Sequence, residues 1–506
     1  PIPHRHAESE PLPRGDDERR TVLGAIRDNV EAFAFAIVLA LLLRHFCLEV
    51  FKIPTPSMEP TLWGENSGTH PGTDGDRILV DKFAYLLSDP ARWDVLVFHY
   101  PLDWSRHFIK RCVGLPGERL RIVRGDPWVA SASSVREGQE PVLHPARKPR
   151  SVREQLYVPV WPPRGAMATE RVSDAWRDLS GPGVTPFAPP VSATEFHWPG
   201  GRELPAIETP WAELRFWPGS PIRDSWRADT DPRGLASDGL PVPDVRLRAT
   251  VVVDGSAEVE LSWAPGDGRR HVLRVASAGR EPSAARTKTK TKTLDAVLAP
   301  KIPMRLELES VDGDLRAWID GKEASILADE IPMADAERIE DPVSSFETQE
   351  LAIRVRGAAV SIRDLRVDRD LYYTNHRTDS GFVPMAGETL VIPDDGYFML
   401  GDNTRRSSDS RRWTAAGRRL KDGTEIWWEW STMPKWITKD GKTWNEVVDV
   451  EGVTRRWLDD DRDAESSSLS KRLPTVARDR IVGRAWFALV FWPLKGQSLE
   501  RIRFIH

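Results

Sequence analysis

Short runs of alternating or β-branched residues, each closed by Gly, Asp or Pro, recur along most of this chain and leave little room for a helical fold. GDRILVDKFAY (Gly75 to Tyr85) and RWDVLVFHYP (Arg92 to Pro101) are two of them; DVRLRATVVV, AEVELSWAP, RHVLRVASA, MRLELESVDGDLRAWIDGK and ELAIRVRGAAVSIRDLRVDRDLYYT follow. Runs this short, separated by turn residues, predict antiparallel strands. The later group, at its regular spacing, predicts a β-sandwich. A chain of 506 residues has room for about two or three such domains.

The exception is VEAFAFAIVLALLLRHFCLEVF, Val30 to Phe51, with an unbroken apolar run from Ala32 to Leu43. That run makes about 18 Å of helix against a ~30 Å hydrocarbon core. The whole stretch makes roughly 33 Å, provided Glu31 lies at one interface and Arg44, His45 and Glu49 reach the other. No small-x-small cleavage site follows, so the expectation is a retained single-pass transmembrane anchor over 30–51 rather than a removed signal. Arg5, Arg14, Arg19, Arg20 and Arg27 precede it in a polar segment, 1–29. This segment is expected to be a disordered cytoplasmic tail, with everything after Phe51 outside.

The net charge of −5, with acids and bases interspersed, offers no basic surface for nucleic acid. Cys47 and Cys112 are the only cysteines, which excludes a disulfide framework and a CxxC metal site. HExxH, zinc-finger spacing, a P-loop and a helix-opening GxGxxG are missing too. The expectation is an activity that needs no metal and no other cofactor.

IPTPSMEPTL, residues 53 to 62, raises a different kind of chemistry. Pro54, Pro56 and Pro60 fix their own φ and push the preceding residue toward extended geometry, so Ser57 is presented on a stiff segment, as suits a nucleophile. A proline-rich linker after the apolar run is the plain alternative. HFIKRCVGLPGERLRIV (His107 to Val123) places Lys110 and Arg111 in a strand-like run that, taken alone, is an edge strand with solvated charges. YFMLGDNTRRSSDSRRW (Tyr397 to Trp413) is apolar and then breaks into a Gly, Asp, Asn and Ser loop.

In order and wording these blocks resemble type I signal peptidases, the membrane-anchored Ser-Lys dyad serine endopeptidases that remove signal peptides from exported precursors. The matching pieces are RHFCLEVFKIP, PSMEPTL, GDRILVDK, RWDVLVF, FIKRCVGLPGE, GDN followed by SSDSR, and the late RIVGRAWF. The resemblance implies an antiparallel β catalytic domain with Ser57 as nucleophile and Lys110 as general base. It also implies that Thr55 joins the Ser57 N–H in an oxyanion hole and that Ser407 orients the lysine amine. Asp409 and Arg411 would brace the loop begun by Gly401, Asp402 and Asn403. Thr404 to Arg406 depart from what relatives carry there. The partners implied are signal-peptide-bearing precursors and membrane lipid, at a plasma (inner) membrane.

A lysine serves as base only when its amine is neutral, and at an ordinary pKa near 10.4 about one in 2,500 is neutral at pH 7. Burial beside Phe108, Ile109, Cys112 and Val113 is expected to supply the rest. His99 and His107, the rival bases, are near that strand, but no GxSxG elbow surrounds Ser57.

The catalytic domain is expected to be discontinuous, at 52–129, 386–413 and 474–506. Residues 130–210, rich in Pro and Trp, read as an irregular linker. Residues 211–375 read as the inserted sandwich, whose LELESVDGDLRAWIDGK hairpin resembles concanavalin or laminin-G-like jelly rolls. Residues 414–473 form a second insertion carrying IWWEWSTMPKW (Ile426 to Trp436), its tryptophans expected either on lipid headgroups or in a core. RTKTKTKTL (Arg286 to Leu294) reads as an edge-protecting or flexible segment, and AWFALVFWP (Ala485 to Pro493) as a buried terminal strand. The sandwich is expected to be a spacer or protein contact, with a glycan ligand left open. The alternative to the enzyme is an inactive peptidase homologue acting as a membrane-anchored surface-binding protein.

Overall fold

The computed structural model describes residues 15–42, 47–67, 70–131, 142–162, 175–201, 210–216, 222–224, 239–265, 270–277, 297–326, 349–373, 389–458, 469–489 and 503–506. It is mostly β, as the alternating runs predict. One eight-stranded sheet takes Leu48–Lys52, Arg77–Asp81, Ile481–Leu489, Val95–Tyr100, Asp103–Gly114, Gly396–Leu400 and Val476–Ala477 in that spatial order, with Arg503–Phe504 beside Ile481–Leu489. Its neighbours are antiparallel, and RILVD shows why it forms: Ile78 and Val80 are buried while Arg77, Leu79 and Asp81 are half-buried. Asp103–Gly114 and Gly396–Leu400 are adjacent in the sheet, although most of the chain separates them in sequence. The inserted domain leaves and returns between these two strands.

The insertion is a sandwich of two sheets. One holds seven strands, including Val245–Val253, Met304–Val311, Asp314–Ile319 and Val360–Arg369; the other holds six, including Ala212–Phe216, Ala257–Ala264 and Glu350–Gly357. Leu247, Val251, Leu306 and Ile362 of the first share one core with Leu214, Val259, Leu261 and Ile353 of the second. The stretch 130–210, expected to be an irregular linker, carries regular elements where it is described. Val158–Trp161 and Phe196–Trp198 join the first sheet and Trp176–Asp178 joins the second, while Arg150–Leu156 is a short helix. Trp161, Trp176 and Trp198 are core residues of the sandwich. Prolines and short lengths masked these strands, which pair at sheet margins where one missing donor is tolerated.

Two further expectations change at the N-terminus. Residues 15–29 of the expected disordered tail are helical, within the single helix Gly15–Leu42. The expected anchor over 30–51 is not one helix, because Leu48–Lys52 pairs with Arg77–Asp81 as the first strand of the large sheet. The alternation of Leu48, Val50 and Lys52 with Glu49 and Phe51 satisfied a strand as well as an apolar span. No helix among the described residues is long and apolar enough to cross a membrane.

The segment 414–473 forms two three-stranded sheets, Thr414–Arg419 with Glu425–Glu429 and Leu469–Arg472, and Lys435–Lys439 with Lys442–Val448 and Thr454–Leu458. Its tryptophans divide between the two expected roles. Trp428 stacks on Trp457 in a small core, whereas Trp430 and Trp436 are exposed. RTKTKTKTL lies outside the described residues. Ile481–Leu489 is a strand with Ala485 and Ala488 buried and Trp486 exposed, so AWFALVFWP is only partly buried where it is described.

Candidate active site

Ser57 sits in one 3-10 turn, Pro56–Met58, entered from an extended Thr55 (φ −124°, ψ 150°). Pro56 opens the turn with its φ already set. Ile53, Met58 and Leu62 are buried in the cluster that holds Ile78, Val80, Val95 and Val97, so the apolar members of IPTPSMEPTL pin the segment to the sheet. Backbone bonds complete the clamp: Ile53 N–H donates to the Asp76 carbonyl at 2.8 Å and Leu62 N–H to the Met58 carbonyl at 2.8 Å. Trp63 N–H donates to Asp76 Oδ2 at 2.8 Å. Gly64 admits this packing because a Cβ there would lie 2.3 Å from Thr55 C and 2.5 Å from Pro56 N.

Lys110 lies opposite Leu96 on the strand Asp103–Gly114. Its Nζ is 2.8 Å from Ser57 Oγ and donates to the Ile109 carbonyl at 2.7 Å. Lys110 is 3% exposed and Ser57 6%, so the contact is dry. Burial pulls the lysine down to about 8, opposed in part by Asp409 and Asp402. At that value about one amine in ten is neutral at pH 7, compared with one in thousands for a solvated lysine. Thr55 Oγ1 is 3.4 Å from Ser57 Oγ, on the same side of the turn. A hydroxyl, a nearby neutral amine and a second hydroxyl are the parts of a serine nucleophile with its base.

The loop after Gly396–Leu400 closes over this pair. Asn403 N–H donates to the Ser57 carbonyl at 3.0 Å, and Asn403 Nδ2 to the Pro56 carbonyl at 3.0 Å. Arg411 grips Asp409 through Nε to Oδ1 at 2.8 Å and Nη2 to Oδ2 at 2.6 Å, while Gly401 N–H donates to Asp409 Oδ2 at 3.0 Å. Burial works against ionisation of Asp409, but the Arg411 guanidinium outweighs it and holds the carboxyl below its usual range. The pair thus ties Gly401, where the loop begins, to Asp409 and Arg411, where it ends. Thr404 to Arg406, where the sequence departs from relatives, are tied in locally: Arg411 Nη2 donates to the Thr404 carbonyl at 2.9 Å and Arg405 approaches Asp224 of the insertion at 3.9 Å.

Ser407 is brought beside the dyad without touching the lysine. A Cβ on Gly401 would lie 2.1 Å from Ser407 Oγ and 2.6 Å from the Ser57 carbonyl, which places Ser407 against the nucleophile's backbone. Its hydroxyl is buried and lies by the Asp409 carboxylate, which it helps keep ionised, whereas Lys110 is held by Ser57 and Ile109. The histidines stand apart. His99 Nδ1 is 2.8 Å from the Trp104 carbonyl with the rings stacked, and His107 packs on Phe51 and His99. Ser57 is bonded to neither.

Sequence reasoning missed Arg111. It is no solvated edge charge: it is fully buried, with Nε and Nη2 each 2.9 Å from Asp402 and Nη1 donating to the Trp93 and His506 carbonyls at 2.8 and 2.7 Å. The signal was the period of two, since neighbours on a strand face opposite sides and Lys110 takes the side of Ser57. Among the described residues, the buried carboxylate trio able to hold a metal ion, Asp126, Asp244 and Asp370, is not part of this site.

The family described as "Signal peptidase, peptidase S26" matches residues 26–155 and 347–425, the second segment taking in the sandwich strands Glu350–Gly357 and Val360–Arg369 before it returns to the large sheet. Signal peptidase I of Pseudomonas aeruginosa is 36% identical over 126 residues, 22% of this chain and 41% of that protein. Probable signal peptidase I-1 of Synechocystis is 37% identical over 107 residues, 20% of this chain and 50% of that protein. The chain thus spans half or less of the length of these curated relatives. Among solved structures, a GlcNAcα1-4Gal-releasing endo-β-galactosidase from Clostridium perfringens aligns over 59% of this chain and 91% of its own at 10% identity, with a TM-score of 0.19 that establishes no common fold.

Proposed function

Through its two matched segments this chain belongs to the peptidase S26 signal peptidase family, and from that premise we propose that it is an active signal peptidase I, cleaving signal peptides from exported precursors with a Ser57-Lys110 dyad. The observation that carries the reading is the 2.8 Å contact between Ser57 Oγ and a buried Lys110 Nζ of lowered pKa. Neutral Lys110 takes the hydroxyl proton as Ser57 attacks the scissile carbonyl, then returns it to the leaving amine. The Ser57 N–H and the Thr55 hydroxyl hold the developing oxyanion. Asn403 and the Asp409–Arg411 pair keep the nucleophile's turn in place, and Ser407 supports it from the Gly401 side. The precursor binds as an extended strand with small side chains in two shallow pockets, the counterpart of an A-x-A site.

We assign membrane attachment to the helix Gly15–Leu42. Its apolar residues Val30, Phe33, Phe35, Ile37, Val38, Leu39, Leu41 and Leu42 are exposed around the helix, which suits lipid better than water. In this reading the helix holds the catalytic domain against the plasma membrane.

Purified protein incubated with a precursor bearing an A-x-A site is expected to release the mature chain, identified by mass and N-terminal sequence, and Ser57→Ala to release none. Failure of the wild-type protein to cleave, or cleavage by the alanine variant, rejects the assignment. Gly64→Ala, which drives a methyl into the Thr55–Pro56 backbone, should cost about 10²-fold in kcat by displacing nucleophile and oxyanion hole together. Unchanged kcat in a folded Gly64→Ala protein would mean that this turn does not carry the chemistry.

A further inference from the structure

Four aspartates meet where the peptidase joins the sandwich. Asp126 opens the strand Asp126–Ala130 on the peptidase side. Asp244 precedes Val245–Val253, Asp312 lies in the turn after Met304–Val311, and Asp370 follows Val360–Arg369, all on the sandwich side. All four are buried. Lys148 alone among the described residues ion-pairs with any of them: it contacts Asp312, lies 2.9 Å from Asp370 Oδ2 and 3.7 Å from Asp126 Oδ1. Four carboxylates thus face one ammonium in a site shielded from water, and charge buried without compensation is expensive.

A second observation points to a missing positive partner. Asp370 is fully buried; Lys148 reaches only its Oδ2, and its Oδ1 has no partner among the described residues. An oxygen from each of Asp126, Asp244 and Asp370 lies within 4.8 Å of the other two. The donors are all carboxylate oxygens, with no imidazole or thiolate, which selects a hard cation over zinc. An all-oxygen set of carboxylates is the donor set that Ca²⁺ takes.

We propose that Asp126, Asp244 and Asp370 form a Ca²⁺-type divalent cation site that staples the inserted sandwich to the peptidase, with Asp312 positioning Lys148 at its margin. Asp312 suits that role because it receives the Lys148 N–H at 2.7 Å and donates its own N–H to Asp244 Oδ2 at 3.3 Å. The site stands whether or not the dyad cleaves precursors, since no atom of it belongs to the Ser57 turn.

The test is titration of the full chain, stripped with EGTA, by CaCl₂ in a calorimeter and by Tb³⁺ luminescence. Trp93 is placed to sensitise the lanthanide, as its ring lies 5.5 Å from Lys148 Nζ. One equivalent of Ca²⁺ should bind and displace Tb³⁺. Trp93→Phe should cut the emission several-fold while Ca²⁺ still binds, and Asp244→Asn or Asp370→Asn should weaken Ca²⁺ at least tenfold. Absence of Ca²⁺ binding to the wild-type protein at millimolar concentration overturns the proposal, as does undiminished binding in Asp244→Asn. Should Asp370→Asn fail to fold, Asp126→Asn reports from the peptidase side.

Discussion

Lys110→Met is expected to reduce precursor cleavage by more than about 10⁴-fold while leaving the protein at least as stable at pH 7. Activity falls because, among the described residues, Ser57 Oγ contacts no other base: His99 is bonded to the Trp104 carbonyl, His107 packs on Phe51 and His99, and Thr55 is a hydroxyl with no basicity to offer. Stability moves the other way because wild-type Lys110, buried and lowered to about 8, is harder to protonate folded than unfolded. The penalty is full below pH 8 and vanishes as pH rises toward the unfolded pKa near 10.4, since the unfolded chain binds the extra proton in that window. It amounts to about 3 kcal/mol, less about 1 kcal/mol for the hydrogen bond lost at Ile109. Methionine keeps the shape of the lysine stem and carries no charge to desolvate. The same titration predicts that wild-type kcat/KM climbs about tenfold per pH unit below pH 8 and levels off above it. Urea unfolding of wild type and variant from pH 7 to 10 reads the stability, and a pH profile of cleavage reads the base. A variant markedly less stable than wild type at pH 7, or a rate profile flat from pH 6 to 9, would show that Lys110 does not titrate near 8 as the base.

The parts of this site legible in the sequence are those set by local geometry. Three prolines announced the turn at Ser57, and alternation announced the strands on which Lys110 and the GDN loop sit. The Thr404–Arg411 loop kept its register despite the TRR departure, because Asp409 and Arg411 are two residues apart and find each other without help from the rest of the fold. What sequence could not show depends on contacts far apart along the chain. Arg111 looks solvated until Asp402, Trp93 and the C-terminal His506 close around it. Ser407 has the right position in its motif, yet its hydroxyl lies by the Asp409 carboxylate while Lys110 is held by Ser57 and Ile109. Leu48–Lys52 carried two compatible patterns, and pairing with Arg77–Asp81 decided between them. The tryptophans at 161, 176 and 198 read as loop decoration because their strands are only three or four residues long, too short for periodicity to register.

Arg111→Met should destabilise the peptidase domain by about 3–5 kcal/mol, the largest loss expected from any single change near the site. The pair is completely buried, and Asp402 would keep its charge with only the Thr61 hydroxyl, 2.5 Å away, as a remaining side-chain donor. The carbonyls of Trp93 and His506 would also lose this donor. Activity should fall with stability, since Asp402 adjoins Asn403, which holds the carbonyls of Pro56 and Ser57. The double variant Arg111→Met, Asp402→Leu removes both charges and should recover much of the stability, because an apolar pair of similar volume avoids the desolvation cost altogether. It should recover less of the activity, as the loop loses its tie to the strand that carries Lys110. Urea midpoints for the two singles and the double form a cycle whose coupling term isolates the pair. A coupling near zero, with Arg111→Met costing under about 1 kcal/mol, would mean that the loop is held by Asp409 and Arg411 alone.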